Sequence, residues 1–281
     1  MPAIGPQIRD RAALEQLWVA ERQVEDDWSK VYDETYDELQ PAYRLYKHKV
    51  ACLVEAYWRR TGGRILDVGC GTGAVLRILA QRGVPQSYLT GLDISPEMVD
   101  LSRKKLPEAG FAASPIELFT TTASYGVIYF CGSLHHMPDL KLVIAKLAEL
   151  LQPGGVVVVC EPNEDWMFQN LWWNRAVRLA IPMWFYWRWR NRVRINRIRS
   201  LTGALSEPPH HVHIRASDLA ALFGVGFKSE LLQTDFPITR LFEGVVTEDG
   251  RTLRWLRGLD RLCGRWFPMR GGSLESVYIR L

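Results

Sequence analysis

The residues best placed to do chemistry form a glycine-rich loop between two acids. The stretch Gly69–Gly73 reads GCGTG, lies just after Asp67, and precedes Asp93 by twenty residues. Glycines permit positive φ and let a ligand approach the backbone closely, and a helix that starts at such a loop offers unpaired N–H groups. A carboxylate that ends the next strand can accept hydrogen bonds from a ribose diol. The spacing predicts a nucleoside-binding crevice.

The elements that must position this loop read as buried strands separated by helical patterns. Residues 64–69 (RILDVG), 88–95 (YLTGLDIS), 125–133 (YGVIYFCGS) and 156–162 (VVVVCEP) are short apolar runs, and a weaker strand is expected near 115–120. Runs that do not alternate with polar residues are typical of a parallel sheet covered by helices on both faces. A helix at 217–223, a strand at 227–233, an Arg-rich helix at 249–264 and the closing strand 276–281 are expected beyond them. The pattern predicts a doubly wound α/β fold.

Three further segments narrow the choice of nucleoside. They are LTGLDISPEMV (89–99), YGVIYFCGSLHHMPD (125–139) and LAELLQPGGVVVVCEP (147–162). With the D-x-G-x-G-x-G motif at Asp67–Gly73, they resemble class I S-adenosylmethionine-dependent methyltransferases over about 64–162, especially the ubiquinone, menaquinone and sterol C-methyltransferase type. The resemblance implies a Rossmann-like sheet of seven strands with the seventh antiparallel, helical lid insertions, and S-adenosyl-L-methionine as the cofactor.

The resemblance also implies a set of cofactor-binding residues. They are Asp67, Gly69, Cys70, Gly71, Gly73, Asp93, Ile94, Met98, Ser114, Ile116 and Cys131. Two positions depart from the family pattern: Ser114 stands where the third strand usually ends in an acid, and Tyr125–Gly126 replaces the acid that often opens the fourth strand. Glu117 lies close to the first of these positions, where it is either a cofactor contact or a solvated side chain.

The candidate catalytic residues are histidines. His135 and His136 follow the fourth strand, where the resemblance places the methionine end of the cofactor, and His211 precedes the helix that leads to the sixth strand. Methyl transfer depends mainly on placement, and a base is needed only when the acceptor must lose a proton. A packing role for the histidine pair therefore stays open. The six His have no zinc-site spacing, so no metal is expected.

Composition limits the other functional classes. The five Cys are scattered without a CxxC pair, which favours reduced cytosolic thiols over disulfides. The first twenty residues have no apolar segment typical of a signal peptide, and the longest uncharged apolar run, Leu179–Trp187, is too short to span a bilayer. A cytoplasmic protein is expected, with peripheral association at the inner face of a membrane as the alternative.

The chain divides into four predicted regions. They are an N-terminal helical cap (1–60), a cofactor-binding core (61–165), a Trp/Arg-rich insertion (166–216), and a C-terminal part of the sheet with an Arg-rich helical insertion (217–281). Residues 166–206 contain eight Arg and no acid, so they carry +8 and leave −4 for the remainder of a chain whose formal charge is +4. Within the last region, one helical stripe reads Leu253, Leu256, Leu259, Cys263, and another reads Arg254, Arg257, Arg261, Arg265. This pattern predicts an amphipathic helix with a cationic face.

The Trp/Arg segment supports three interpretations. It could pack as a lid over the substrate with solvated arginines, rest on an anionic membrane through Trp172–Arg199, or bind single-stranded nucleic acid, which is the least favoured. An acceptor with an acidic head and an apolar tail would suit the same residues. The predicted function is methyl transfer to a hydrophobic or amphipathic small molecule or lipid, with the acceptor atom (O, N or C) open. An NAD(P)-dependent oxidoreductase that uses Gly69, Gly71 and Ala74, and a non-catalytic cofactor-binding module, are the alternatives.

Overall fold

A computed structural model describes residues 10–38, 40–166, 197, 200–203, 205, 212–224, 226–236, 239, 251–267 and 269–281. Its centre is a seven-stranded sheet with the order β3-β2-β1-β4-β5-β7-β6. The strands are β1 (Arg64–Val68), β2 (Leu89–Asp93), β3 (Gly110–Ala113), β4 (Tyr125–Cys131), β5 (Leu151–Pro162), β6 (Phe227–Asp235) and β7 (Ser273–Arg280). The first five pair in parallel, and β7 is antiparallel to both β5 and β6. The predicted fold class is confirmed.

Helices cover both faces of this sheet. They are α1 (Arg11–Ser29), α2 (Pro41–Thr61), α3 (Ala74–Gln81), α4 (Pro96–Lys105), α5 (Leu140–Leu150), α6 (Ala216–Leu222) and α7 (Arg251–Trp266). A π-helical turn, Asp33–Glu38, connects α1 to α2. None of the helices in the described residues is long and apolar enough to cross a bilayer. The division into four regions remains a prediction.

Neighbouring residues of each central strand enter opposite halves of the core. Ile65 packs in the cluster that includes Leu76 of α3, whereas Leu66 packs in the cluster that includes Leu147 of α5. Val157 and Val158 of β5 divide in the same way. Successive side chains of a strand point to opposite faces, so a strand covered on both faces must be apolar at every position, as the unbroken runs predicted.

The third strand does not lie at the predicted position. It is Gly110–Ala113, and the expected stretch 115–120 instead contains a 3₁₀ turn at Ile116–Leu118. Pro115 has no N–H to donate to a neighbouring strand, and it directly precedes the turn. β3 is short, half-buried and at the edge of the sheet, so it lacks the apolar run that marked the other strands.

Helix α7 carries the predicted amphipathic pattern with one correction. Leu256 is buried at 1% exposure, and Arg254, Arg261 and Arg265 are exposed. Arg257 does not belong to the cationic face: its side chain is only 24% exposed, because Asp235 and Asp260 bind its guanidinium at 2.7 and 2.8 Å. Asp235, at the end of β6, thus binds one arginine of the predicted cationic stripe.

Two sequence predictions fall mostly outside the described residues. His211 is not described, and neither is most of Trp172–Arg199. Arg197 is described, and it forms a two-point contact with Glu34, at 2.5 Å from Nε to Oε1 and 3.0 Å from Nη2 to Oε2. At least this arginine binds a protein carboxylate.

Candidate functional site

A cavity of about 350 Å³ lies where β1, β2 and β4 end. The glycine loop, the segments that follow β2, β3 and β4, and helix α1 all contribute to its wall. Helix α1 is attached to this edge by Asp26, which accepts a hydrogen bond from Ser95 Oγ at 2.5 Å, and by Arg22, which donates to the Ile94 carbonyl at 3.2 Å. Ligands of doubly wound sheets bind at this edge, and the volume is within the usual range for small-molecule sites.

Asp93 is joined to the glycine loop by its own hydrogen bonds. Its Oδ2 accepts from the Gly71 N–H at 2.7 Å, and its Oδ1 accepts from the Ser95 N–H at 3.0 Å. Burial raises the pKa of Asp93 to about 6, against the lowering effect of these bonds. A carboxylate has about four acceptor positions, so Asp93 retains capacity for a ligand. Gly69 and Gly71 have φ of +73° and +51°, which supports the predicted need for glycine at this turn.

Seven of the predicted cofactor residues line the cavity: Gly69, Gly71, Asp93, Ile94, Ser114, Ile116 and Cys131. The other four, Asp67, Cys70, Gly73 and Met98, are not part of its lining. Asp67 instead accepts a hydrogen bond from the Tyr129 hydroxyl at 2.6 Å, and burial raises its pKa to about 7. Gly73 caps the start of α3 with φ of +76° and packs against Ser102. These residues support the glycine loop without lining the cavity.

The part of the cavity wall that follows β3 contains Glu117, an acid whose role could not be decided from the sequence. Glu117 lines the cavity beside Ile116, and burial raises its pKa to about 7. Glu117 is thus half-buried at the cavity, and its role as a cofactor contact remains a prediction. The signal that could have found it is its position three residues after Ser114, near the family's usual acid.

Helix α1 contributes two acids that the sequence did not predict. Glu21 and Glu25 are one helical turn apart and face the cavity together. Burial and the nearby Asp93 raise the pKa of Glu25 to about 8. The ligand atoms of Glu21, Glu25 and His136 lie within 4.8 Å of one another, a spacing that a metal ion could use. The predicted absence of a metal remains a prediction.

Both predicted histidines of the β4 loop line the cavity, but their partners differ. His135 is buried, with Nδ1 2.5 Å from Glu161, and the other oxygen of Glu161 accepts from the N–H groups of Ser133 and Leu134 at 2.9 and 2.8 Å. Glu161 therefore fixes the shape of this loop. The Nδ1 of His136 lies 3.1 Å from Glu21. Burial alone would lower the pKa of His136, but Glu21 and other nearby acids outweigh it and raise the pKa.

Part of the cavity wall is aromatic. Trp28, Tyr32, Tyr36 and Tyr43 line it, with ring centroids 4.8 Å apart for Tyr32–Tyr36 and for Tyr36–Tyr43. The ammonium of Lys47 lies 5.2 Å from the Tyr32 ring and 5.4 Å from the Tyr43 ring, within cation–π range. The sequence did not identify this cluster, because its members come from three consecutive elements whose approach depends on the π-helical turn.

A family model for the methyltransferase domain matches residues 38–223. The chain belongs to this methyltransferase family. The resemblance to class I S-adenosylmethionine-dependent methyltransferases is thereby confirmed, and the dinucleotide reading of the glycine loop loses its support.

Individual relatives agree at lower coverage. The chain is 28% identical over 159 residues to a demethylmenaquinone methyltransferase of Tropheryma whipplei strain Twist, which covers 52% of the chain and 65% of that relative. It is 35% identical over 98 residues to a trans-aconitate 2-methyltransferase of Methylobacterium radiotolerans, covering 35% of the chain and 37% of that methyltransferase. The match thus spans less than two thirds of either relative's length.

The fold has a solved counterpart over nearly its whole length. The plantazolicin methyltransferase BpumL, in complex with SAH, matches with a TM-score of 0.52 and 16% identity, covering 96% of this chain and 98% of that chain. At this identity the match supports the fold of the methyltransferase and carries no information on its acceptor.

Proposed function

We propose that this methyltransferase transfers a methyl group from S-adenosyl-L-methionine to a neutral, hydrophobic or amphipathic small molecule. The observation that carries the proposal is the composition of the cavity wall, which combines the glycine loop, four acids and the aromatic rings of Trp28, Tyr32, Tyr36 and Tyr43. The relatives include a demethylmenaquinone methyltransferase, and a quinone acceptor would belong to the same class.

The described residues fit the cofactor by charge. Four carboxylates line the cavity, from Glu21, Glu25, Asp93 and Glu117, and the described lining contains no Lys or Arg. When bound, the cofactor supplies a methyl group on a positively charged sulfur. Asp93 would hold the ribose, Gly69 and Gly71 would admit the ligand against the backbone, and Ile94, Ser114, Ile116 and Glu117 would enclose the adenine.

The aromatic cluster favours a neutral acceptor over a polyanionic one. Trp28, Tyr32, Tyr36 and Tyr43 offer flat apolar surfaces, with an N–H at the edge of the Trp ring and hydroxyl groups at the edges of the Tyr rings. A tricarboxylate of the trans-aconitate kind would meet four acids and no described Lys or Arg in the lining. A ring-bearing or prenylated acceptor would lie against the aromatic rings without that repulsion.

An acceptor that must lose a proton has a recipient in the wall of the cavity. His136 and Glu21 form a carboxylate–imidazole pair 3.1 Å apart, which can accept a proton and share its charge. The role proposed for His135 is to position this loop through Glu161, and His211 remains a sequence prediction. A carbon or amine acceptor that needs no base would leave the histidine pair a packing role.

The test uses purified full-length protein with methyl-labelled cofactor and a cell extract divided into organic and aqueous fractions. The proposal expects labelled product from the organic fraction. A His136→Asn variant should lose roughly 10²–10⁴-fold in kcat and keep S-adenosylhomocysteine affinity within about threefold. Leu142→Ser, an exposed change on α5, serves as the matched control.

Other outcomes separate the alternatives. Label confined to water-soluble acids would overturn the acceptor class. Tight S-adenosylhomocysteine binding with no labelled product from either fraction would favour a cofactor-binding module. An unchanged kcat in His136→Asn would assign His136 to packing. The membrane contact predicted for Trp172–Arg199 stays a proposal, and the described part of that segment, Arg197, supports a protein contact.

A further inference from the structure

The outward face of α7 is divided lengthwise into two strips. Arg254, Arg261 and Arg265 form one strip on the helical surface, and all three are exposed. Beside it, Trp255, Leu262 and Trp266 form the other strip, with exposures of 63%, 55% and 79%. Spacings of seven and four residues keep each set on one side of a helix.

The apolar strip continues beyond the end of the helix. Phe267 is 49% exposed and Met269 is 37% exposed. Large apolar side chains exposed singly are ordinary, but adjacent ones bordered by charge mark an interaction surface. Five such residues within 255–269 therefore define what we term the α7 patch.

The α7 patch is not a core face that failed to pack. The opposite side of the helix has its own partners: Leu256 is 1% exposed, and Arg257 is held by Asp235 and Asp260. Asp260 also accepts hydrogen bonds from the backbone and hydroxyl of Thr239. The inner face thus anchors the helix, and the outer face stays exposed in the part of the chain that the structure describes.

We propose that the α7 patch docks on the surface of an anionic phospholipid bilayer. Trp side chains are favoured at the headgroup level, Leu and Met can enter the acyl boundary, and Arg pairs with acidic headgroups. The charge is complementary: the one acid within α7, Asp260, is buried on the inner side. This inference depends on α7 alone and stands whether or not the acceptor is a lipid.

The position of the patch connects it to the cavity. The Arg257 guanidinium lies 4.1 Å from the centre of the Phe236 ring, and Phe236 contacts Tyr46 with ring centroids 6.0 Å apart. Tyr46 in turn lies 5.9 Å from Tyr43, which lines the aromatic side of the cavity. The inner face of α7 is therefore connected to the aromatic part of the cavity wall, and a bilayer on the outer face would lie on the same side of the enzyme, with α7 between the bilayer and the site.

The experiment is flotation of the full-length protein with vesicles, comparing equal parts phosphatidylglycerol and phosphatidylcholine with phosphatidylcholine alone. The wild type should bind the anionic vesicles more tightly, and added salt should weaken this binding in part. A triple change of Arg254, Arg261 and Arg265 to Gln should reduce the affinity by about 100-fold, at about fivefold for each arginine. Changing Trp255, Leu262 and Trp266 to Ser should reduce it at least tenfold.

Matched controls remove the same chemistry elsewhere. Arg64, Lys104 and Lys228, all exposed, change to Gln in one variant. Val19 and Leu142, at 65% and 45% exposure, change to Ser in another. Both controls should float like the wild type, and all variants should keep the wild-type melting temperature and S-adenosylhomocysteine affinity.

Several results would overturn the proposal. The wild type could remain unbound with anionic vesicles, or the control variants could lose as much binding as the α7 variants. Binding of single-stranded nucleic acid that depends on the same residues, with no vesicle binding, would assign the patch to nucleic acid. A dimer that dissociates in the α7 variants, again without vesicle binding, would assign it to a second copy of the chain. If the Ser changes lower the melting temperature, the α7 patch contributes to the hydrophobic core and is not a docking surface.

Discussion

Two groups of buried or half-buried acids lie at the same edge of the sheet and differ in what neutralises them. In the cavity, Glu25, Asp93 and Glu117 have pKa values of about 8, 6 and 7. At the end of β6, Asp235 has a pKa of about 2. Burial is the largest influence on all four carboxyl groups, and it raises the pKa in each case. Burial alone therefore does not explain the difference.

The difference comes from the cations. Lys49 Nζ and Arg257 Nη2 lie 2.5 and 2.7 Å from Asp235, whereas the described lining of the cavity has no Lys or Arg. An acid network that contains its own cations is complete without a ligand. An acid cavity without them becomes favourable when a positively charged ligand enters. We therefore expect the network of Asp235, Lys49 and Arg257 to contribute to stability and the cavity acids to contribute to binding.

The largest effect is expected from a change at Asp235, at the end of β6. Asp235→Asn removes the carboxylate shared by Lys49 and Arg257, so each cation keeps one acid, Glu275 or Asp260, instead of two. The free energy of unfolding should fall by about 3 kcal/mol at pH 7, as measured by denaturant unfolding. S-adenosylhomocysteine affinity should stay within about threefold of the wild type.

The pH dependence gives a check on the cause. A depressed pKa contributes stability that is present above the unfolded-state pKa and lost as the pH falls through the folded-state value. The deficit of Asp235→Asn should therefore shrink as the pH falls from about 4 towards 2. A deficit that is constant over this range would mean that the change acts through packing, and the contrast with the cavity would fail.

The strands and the loop that surround these acids could largely be predicted from local sequence. The apolar runs predicted β1, β2, β4 and β5, because strands covered on both faces must be apolar at every position. The GCGTG loop and Asp93 were predicted because the chemistry of nucleoside binding requires both at adjacent strand ends. In the structure, the Gly71 N–H donates to Asp93, which joins the two signals.

The acids that distinguish the two regions were not predictable in the same way. Glu21 and Glu25 resemble solvent-exposed residues of an amphipathic helix, and only the path of α1 over the β2 and β4 loops buries them. Arg257 matches its stripe in spacing, but Asp235 captures it from 22 residues away. Contacts between distant residues of this kind depend on the assembled fold. They leave no periodic signal in the chain.

The next largest effect concerns cofactor binding. Asp93→Ala should weaken S-adenosylhomocysteine binding by about 1.5–3 kcal/mol, since a charged hydrogen-bond partner is lost, and calorimetry measures it. In contrast with Asp235→Asn, the fold should lose less stability, because relief from burying a carboxylate with a raised pKa offsets part of the cost of leaving the Gly71 and Ser95 N–H groups without their acceptor. Unchanged affinity would remove Asp93 from the binding site.

A smaller effect is expected from pH on the wild type. A cationic ligand favours the ionised forms of Glu25, Asp93 and Glu117, so binding releases protons and becomes tighter as the pH rises. S-adenosylmethionine affinity should increase roughly 3–10-fold between pH 6 and pH 8, which cover these pKa values. S-adenosylhomocysteine lacks the charged sulfur and should show a shallower increase. Equal slopes for the two ligands would mean that the acids do not sense the sulfonium charge.

The smallest effect is expected from Glu25→Gln, which tests one cavity acid without its charge. A carboxyl group with a raised folded-state pKa binds a proton that the unfolded chain has released, so the wild type loses stability as the pH rises from about 4.5 to about 8. Glutamine has no such cost, and the variant should melt about 2–4 °C higher than the wild type at pH 8, the shift expected for about 1 kcal/mol in a large domain. At pH 4.5 the two proteins should melt at the same temperature.

The Glu25→Gln variant should also flatten the pH dependence of S-adenosylmethionine affinity, because one of the titrating acids is gone. Asp235→Asn is the opposite control, since it lowers the melting temperature at pH 8. A Glu25→Gln protein that melts at a lower temperature than the wild type at pH 8 would show that the Glu25 carboxylate has a stabilising partner, as Asp235 does.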